Sequence, residues 1–293
     1  MASLVEPVAR RISAVIITKN AANELAACLA SVAFCDEILV VDSGSEDATV
    51  ELATSLDARV IQTHWRGFGP QKQFAVEQAM HDWVLCVDAD ERVSAQLASE
   101  VTKSGEVGVS QSTALRLRSG SAVLSRDSAS APTDDTAAAQ TTAYRFARCN
   151  RFMGRYLRHG EGYPDWSLRL FDRRAARWSA DIVHEKVIVN RGETGTLAGD
   201  LLHESAESLD NYLAKQNRYS TLAAQIALAQ GKRANIAHLL ISPAVRFIKF
   251  YFFRLGFLDG AAGLALAIWS IVVHSRLRCC AMSNRWATPQ LWF

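Results

Sequence analysis

The chain has 293 residues, 49% of them hydrophobic and 21% charged, a balance that excludes an unfolded polyelectrolyte and gives room for a large buried core. A formal net charge of +2 excludes a general nucleic-acid binder. Six cysteines without Cys-x-x-Cys spacing exclude a zinc-ribbon framework and read as reduced thiols of a cytosolic protein, with no signal sequence expected.

In chain order, Ile12 to Thr18 is an apolar β-favouring run closed by Lys19 and Asn20, and reads as a first central strand. Leu25, Cys28, Leu29 and Val32 then recur at helical spacing, with Asn20 placed to cap the start. Glu37 to Val41 is a second strand, ending in Asp42-Ser43-Gly44-Ser45. Ser43 and Glu46 have capping-box spacing, so a helix is expected to open there. Arg59 to Thr63 is a third strand and Gln71 to Met80 a further helix. The fourth strand, Trp83 to Val87, runs straight into Asp88-Ala89-Asp90.

Such alternation predicts βαβ units and a mostly parallel central sheet with helices on both faces, in an α/β protein with its ligand crevice at the carboxyl ends of the strands. Polar groups gather there: Thr18 and Asn20, Asp42 to Gly44, Asp88 to Asp90. Carboxylates one residue apart at a strand end are hard oxygen donors suited to Mg²⁺ or Mn²⁺ carrying phosphates. Neither a Gly-x-Gly-x-x-Gly after the first strand nor a Walker-type Gly-Lys-Ser/Thr loop occurs, so carboxylates replace a glycine-rich phosphate cradle.

Residues 104–142 are rich in Ser, Ala, Thr and Gly and read as a mobile insertion, with a stray strand over Ala114 to Arg118. Beyond it lie a basic run (Arg148, Arg151, Arg155, Arg158), a strand Ser167 to Phe171, and a strand Ile182 to Val189 with His184 and Glu185 in its middle. The basic run is either a solvated face or an attractor for an anionic acceptor. A long helix is expected from Ser208 to Gln230, stopped by Gly231. The remainder, 232–293, interleaves apolar runs with Arg and Lys. Its Gly260 to Val273 stretch would span only about 21 Å as a helix, too short to cross a bilayer and better suited to lie in an anionic interface.

The blocks Ala14 to Asn20, Asp36 to Ser45, Gly67 to Lys72, Val87 to Glu91, Tyr163 to Phe171 and Val183 to Val187 resemble, in order, family 2 glycosyltransferases of the GT-A (nucleotide-diphospho-sugar transferase) fold. The subgroup they resemble is the bacterial lipopolysaccharide core β-glucosyltransferases. The apolar and basic patterning of 232–293 reads as a C-terminal helical membrane-associating region. The resemblance, which covers Ile12 to about Gly263, implies a nucleotide-sugar-binding half at 1–103 and an acceptor half with the long helix at 143–231. It implies an inverting, metal-dependent transfer of a hexose, glucose above all, from a UDP-sugar to the lipid-linked lipopolysaccharide inner core, at the cytoplasmic face of the inner membrane. Another envelope glycan or a polyprenyl phosphate as acceptor, or a non-catalytic scaffold, stay open, as does self-association.

By the same resemblance Thr18, Asn20, Asp42, Ser43, Gly44, Lys72 and Asp88 hold the nucleotide-sugar. Asp90 and His184 ligate Mg²⁺ or Mn²⁺. For the base that accepts the acceptor's proton, Asp165 and Glu185 are the candidates, with Glu91 behind them. The sequence departs from the family in the 104–142 insertion, in Gly162 where an aromatic residue is common, and in the tail after Arg276.

Overall fold

A computed structural model describes residues 10–106, 140–181, 185–204, 221 and 236–282. The first half alternates strand and helix: β1 (Ile12–Thr18), α1 (Ala22–Ser31), β2 (Glu37–Asp42), α2 (Thr49–Ser55), β3 (Arg59–Gln62), α3 (Phe68–Gln78), β4 (Trp83–Asp88), β5 (Glu91–Val93) and α4 (Ala95–Glu106). The second half is strand-rich: β6 (Thr141–Phe152), β7 (Arg155–Tyr156), β8 (Asp165–Asp172), β9 (Ala176–Trp178), β10 (Val187–Val189) and β11 (Glu193–His203). At the C-terminus α5 (Ile236–Phe247) leads through a π-helical turn (Ile248–Phe253) and a 3₁₀ turn (Gly256–Asp259) into α6 (Gly260–Met282).

A nine-stranded sheet runs β3-β2-β1-β4-β8-β6-β11-β5, with β7 hung on β6. β3, β2, β1 and β4 are mutually parallel, as the βαβ alternation requires, so their carboxyl ends lie along one edge. β8 joins β4 and β6 antiparallel, and β11 runs parallel to β6 before β5 closes the order antiparallel. Alternate residues of the inner strands feed two cores. Ala14, Ile16, Leu85 and Val87 meet Leu25, Cys28, Leu97 and Val101 from α1 and α4 on one face. Val15, Val84 and Cys86 meet Ala75, Val76 and Trp178 on the other. A strand buried on both faces needs such a continuous apolar run. Cys28 and Cys86 are buried, and burial pushes the Cys86 thiol up to about 11, so it packs as a small hydrophobe.

The structure revises several local expectations. Asn20 does not cap α1. The first free amides there, on Ala21 and Ala22, donate to Thr49 Oγ1 (2.8 Å) and Asp47 Oδ2 (3.1 Å) from the next loop. The Ser43/Glu46 capping box does not form either, since α2 opens only at Thr49, and Ser43 accepts from Gln71 Nε2 at 3.1 Å instead. Of the strand expected over Ile182 to Val189, Val187–Val189 forms β10, paired with β9, and Glu185 lies ahead of it, while residues 182–184 lie outside the described residues. The expected insertion is narrower than 104–142, because α4 continues to Glu106 and β6 starts at Thr141. The rest of that insertion, the stray strand at Ala114 to Arg118 and the helix at Ser208 to Gln230 lie outside the described residues, Thr221 excepted.

Candidate active site

The site is assembled where β1, β2 and β4 end together. Thr18 stands opposite Asp42 and Ile17 opposite Asp88 in the parallel registers. Asp42 is almost fully buried and turned inward. Its Oδ1 accepts from the Thr18 hydroxyl at 3.1 Å, and its Oδ2 from the backbone N–H groups of Gly44 (2.9 Å) and Ser45 (2.8 Å). That turn needs the left-handed conformation Gly44 adopts (φ +85°). Asn20, also left-handed (φ +53°), donates its N–H to Ser45 Oγ and accepts the Glu46 N–H on its side-chain oxygen, both at 2.8 Å. The loops after β1 and β2 are thus stitched into one rim, with Asp42 as its inner brace.

The next layer is a buried lattice of charges. Lys72, on α3, is 5% exposed. Its ammonium lies 3.0 Å from Asp88 Oδ1 and 2.9 Å from Glu185 Oε1, and 4.9 Å above the Trp178 ring. Arg169 reaches from β8 to Asp88 Oδ2 at 3.0 Å and Glu91 Oε1 at 3.3 Å. Arg148, from β6, is 3.0 Å from the same Glu91 oxygen. Glu91 is fully buried, and its Oε2 accepts the Asp88 N–H at 2.9 Å. Burial raises the Asp88 carboxyl, but Arg169 and Lys72 together outweigh it and hold Asp88 well below the usual carboxylate range. Burial raises Glu91, with Asp88 adding to it, and here the opposing cations do not reverse the direction. Three acidic groups face three cations in this floor, and the cations keep Asp88 ionised.

Asp90 points the other way and is half exposed. Its Oδ2 lies 3.1 Å from Nε2 of His203, the last residue of β11, whose Nδ1 is 2.9 Å from Asn150 Oδ1. Without a cation, an Nε2–H is what holds the contact to Asp90; with the Nδ1 proton given to Asn150, the Nε2 lone pair would be free to ligate a cation shared with Asp90. Among the described residues no cluster of three or more His, Cys, Asp or Glu has a metal site's arrangement. A carboxylate and an imidazole are nonetheless donors that fit Mn²⁺ or Mg²⁺ when phosphate oxygens complete the shell. His184, the expected second ligand, lies outside the described residues. His203 had no sequence signal beyond its position at the end of the apolar pair Leu201-Leu202.

The two candidate bases differ in environment. Glu185 is tied to Lys72, with its side chain 18% exposed. Asp165 opens β8 opposite Arg148, with its side chain 49% exposed and Arg148 Nη1 at 3.9 Å. The side chains of the basic run are paired, and those of Arg151, Arg155 and Arg158 are exposed. Arg148 serves Glu91, Arg151 meets Glu204 at 2.7 Å, Arg158 meets Asp200 at 3.3 Å, and Arg155 donates to the Leu258 carbonyl at 3.4 Å.

A sheet of this order, with an Asp-x-Asp at the crest of its parallel half and an open carboxylate on the antiparallel side, is the framework of a GT-A glycosyltransferase. Residues 13–177 match the model of Glycosyl transferase family 2, and the chain belongs to that family. It is 30% identical to the lipopolysaccharide core biosynthesis glycosyltransferase LpsC of Rhizobium meliloti, over 82% of this chain and 80% of that protein. An uncharacterized glycosyltransferase of Rickettsia typhi is 29% identical over 88% of this chain and 82% of its own length. Among solved structures, Staphylococcus aureus TarS 1–349 aligns with 93% of this chain and 83% of its own at 14% identity and a TM-score of 0.40. Glucosyl-3-phosphoglycerate synthase from Mycobacterium tuberculosis, in complex with Mn²⁺, UDP-glucose and phosphoglyceric acid, is 26% identical at a TM-score of 0.26. That alignment takes in 28% of this chain and about a third of the synthase, 34%.

Proposed function

We propose that this glycosyltransferase moves a hexose, glucose in the first instance, from a UDP-sugar to the lipid-linked inner core of lipopolysaccharide, with inversion at the anomeric carbon. The observation that carries the reading is the division of labour in Asp88-Ala89-Asp90. Asp88 is locked into the charged floor, while Asp90 is turned outward against His203. The braced rim of Thr18, Asn20, Asp42, Ser43 and Gly44 would receive the nucleoside, and the floor of Lys72 and Asp88 the ribose and diphosphate. Asp90 and His203, with His184 from the undescribed segment, would hold Mg²⁺ or Mn²⁺, which supplies positive charge to the departing diphosphate. Asp165 would accept the proton of the acceptor hydroxyl as its oxygen bonds to the anomeric carbon, and the electron pair of the broken bond would leave with the diphosphate. The lipopolysaccharide acceptor is supported by the likeness to LpsC.

We place the enzyme on the cytoplasmic face of the inner membrane. Ile241–Phe253 and Gly256–Val272 meet at 72°, and no single helix among the described residues is long and apolar enough to cross a bilayer. Phe252, Phe253, Phe257 and Leu258 are exposed around that bend, beside Lys249 and Arg254, which suits an anionic leaflet.

The test is UDP-glucose turnover with Mn²⁺ and truncated-core lipopolysaccharide. Asp90→Ala should lose metal-stimulated activity, and Asp165→Asn should lose transfer while UDP-glucose still raises the melting temperature. Near-normal transfer by Asp165→Asn would remove it from the role and leave Glu185 as the candidate.

A further inference from the structure

The loop that leads into β8 is held from outside the catalytic sheet. Asp259, at the end of the 3₁₀ turn, is 2% exposed, yet its carboxylate serves another element. Oδ2 accepts the backbone N–H groups of Arg158 (3.1 Å) and His159 (2.8 Å), and Oδ1 lies 3.1 Å from His159 Nδ1. One residue on, the Gly160 N–H donates to the Arg254 carbonyl at 2.9 Å, while the Arg254 guanidinium donates to the Tyr163 carbonyl at 2.7 Å. Arg246 pairs with Glu161 in the same loop and is steadied by Ser270 Oγ at 2.8 Å. The backbones approach so closely that a Cβ on Gly160, itself at φ +73°, would sit 3.3 Å from the Gly256 Cα. From the other side the Tyr163 hydroxyl donates to Asp200 Oδ1 at 2.8 Å. Two residues beyond Tyr163 stands Asp165.

We propose that Asp259, with Arg254, is a positioning residue for the acceptor side: the apolar C-terminal module clasps residues 158–163 and so sets where the Asp165 carboxylate stands. The inference rests on the reading of Asp165 as the base, and it makes the module a working part of the acceptor site as well as an anchor. A buried carboxylate that receives two consecutive amides fixes a backbone more tightly than a single neutral hydrogen bond. A misplacement of about 1 Å at the base is enough to cost a large factor in rate.

The experiment uses the full chain with Mn²⁺ and UDP-glucose, without and with truncated-core lipopolysaccharide in detergent micelles. Asp259→Ala should lower acceptor-dependent kcat/KM by about tenfold or more, while acceptor-free UDP-glucose hydrolysis and the UDP-glucose thermal shift stay within about twofold. Arg254→Met should move the same parameter in the same direction by less. Unchanged acceptor kcat/KM in folded Asp259→Ala overturns the proposal, and so does a parallel fall in hydrolysis and transfer, which marks a merely structural contact. Deuterium exchange at the amides of Arg158, His159 and Gly160 reads the clasp without any acceptor. Faster exchange in Asp259→Ala supports it, and unchanged exchange overturns it. A wild-type chain that hydrolyses UDP-glucose but ignores this lipopolysaccharide refutes the acceptor assignment, while the exchange result still decides the clasp.

Discussion

Arg169 shows how single residues make the site. Its guanidinium stands between Asp88 and Glu91 with a side chain only 7% exposed. Arg169→Met would leave two carboxylates within reach of Lys72 and Arg148 alone, and should destabilise the fold by about 3 to 5 kcal/mol, read from the urea midpoint. Arg169→Lys should recover only part, because an ammonium can replace the Nη2 contacts to both acids but not the Nε–H given to Ser167 Oγ at 3.1 Å. A loss below about 1 kcal/mol in the methionine variant would contradict the lattice. Glu37 offers a pH signature at the far end of the sheet. Burial raises its pKa, but hydrogen bonds from the Ser13 hydroxyl, the Met80 N–H and Arg59 outweigh burial and lower it. A carboxylate lowered in the folded state stabilises above its unfolded pKa, about 4.3, and that contribution disappears as pH falls through the folded value. Between pH 5 and 3 the urea midpoint of Glu37→Gln should therefore fall less than that of the wild type; equal slopes would refute the assignment.

At the scale of elements, the start of α3 carries Lys72 into the floor, and Gly69 decides how near α3 can come. A Cβ there would lie 2.3 Å from the Ser179 carbonyl oxygen and 2.6 Å from that of Asp181. Both obstacles are backbone, so the helix would have to retreat and pull Lys72 from Glu185. Gly69→Ala should cost about 1 to 3 kcal/mol and reduce turnover with it, and an unchanged melting temperature would show that the contact is slack. The same element shows what the residues disclosed in advance. The helix expected at Gln71 to Met80 overlaps α3, and the strand ends located Thr18, Asp42, Asp88 and Asp90, because an apolar run that stops in polar residues is a local signal. Lys72 looks like a surface lysine in its own helix, but Asp88 of β4, Trp178 of β9 and Glu185 surround its ammonium. His203 went unseen because its partners, Asp90 and Asn150, are 113 and 53 residues away in sequence. The caps of α1 failed for a related reason: Asp47 and Thr49 of the neighbouring loop outcompeted Asn20, whose own side chain was taken by Glu46.

Across the whole molecule, the parallel half of the sheet ends in the rim and floor, the antiparallel half contributes Asp165 and His203, and the C-terminal helices grip the loop before Asp165. In the proposed reading, an acceptor arriving from the C-terminal side would meet the open carboxylate of Asp165. The proposed anchor is the apolar bend: Phe252 and Phe253 are 54% and 80% exposed, and Phe247, Tyr251 and Phe252 pack on one another at the turn. An exposed aromatic edge of that kind gains about 1.5 to 3 kcal/mol per side chain on leaving water, and adjacent Lys249 and Arg254 add attraction to anionic headgroups that salt screens. Wild-type chain should float with vesicles containing phosphatidylglycerol and much less with neutral phosphatidylcholine. Phe253→Ser should weaken the anionic partition by about tenfold or more without changing acceptor-free UDP-glucose hydrolysis. Equal flotation of wild type and Phe253→Ser would mean that the bend does not face lipid, and would leave the clasp on residues 158–163 as the module's sole task.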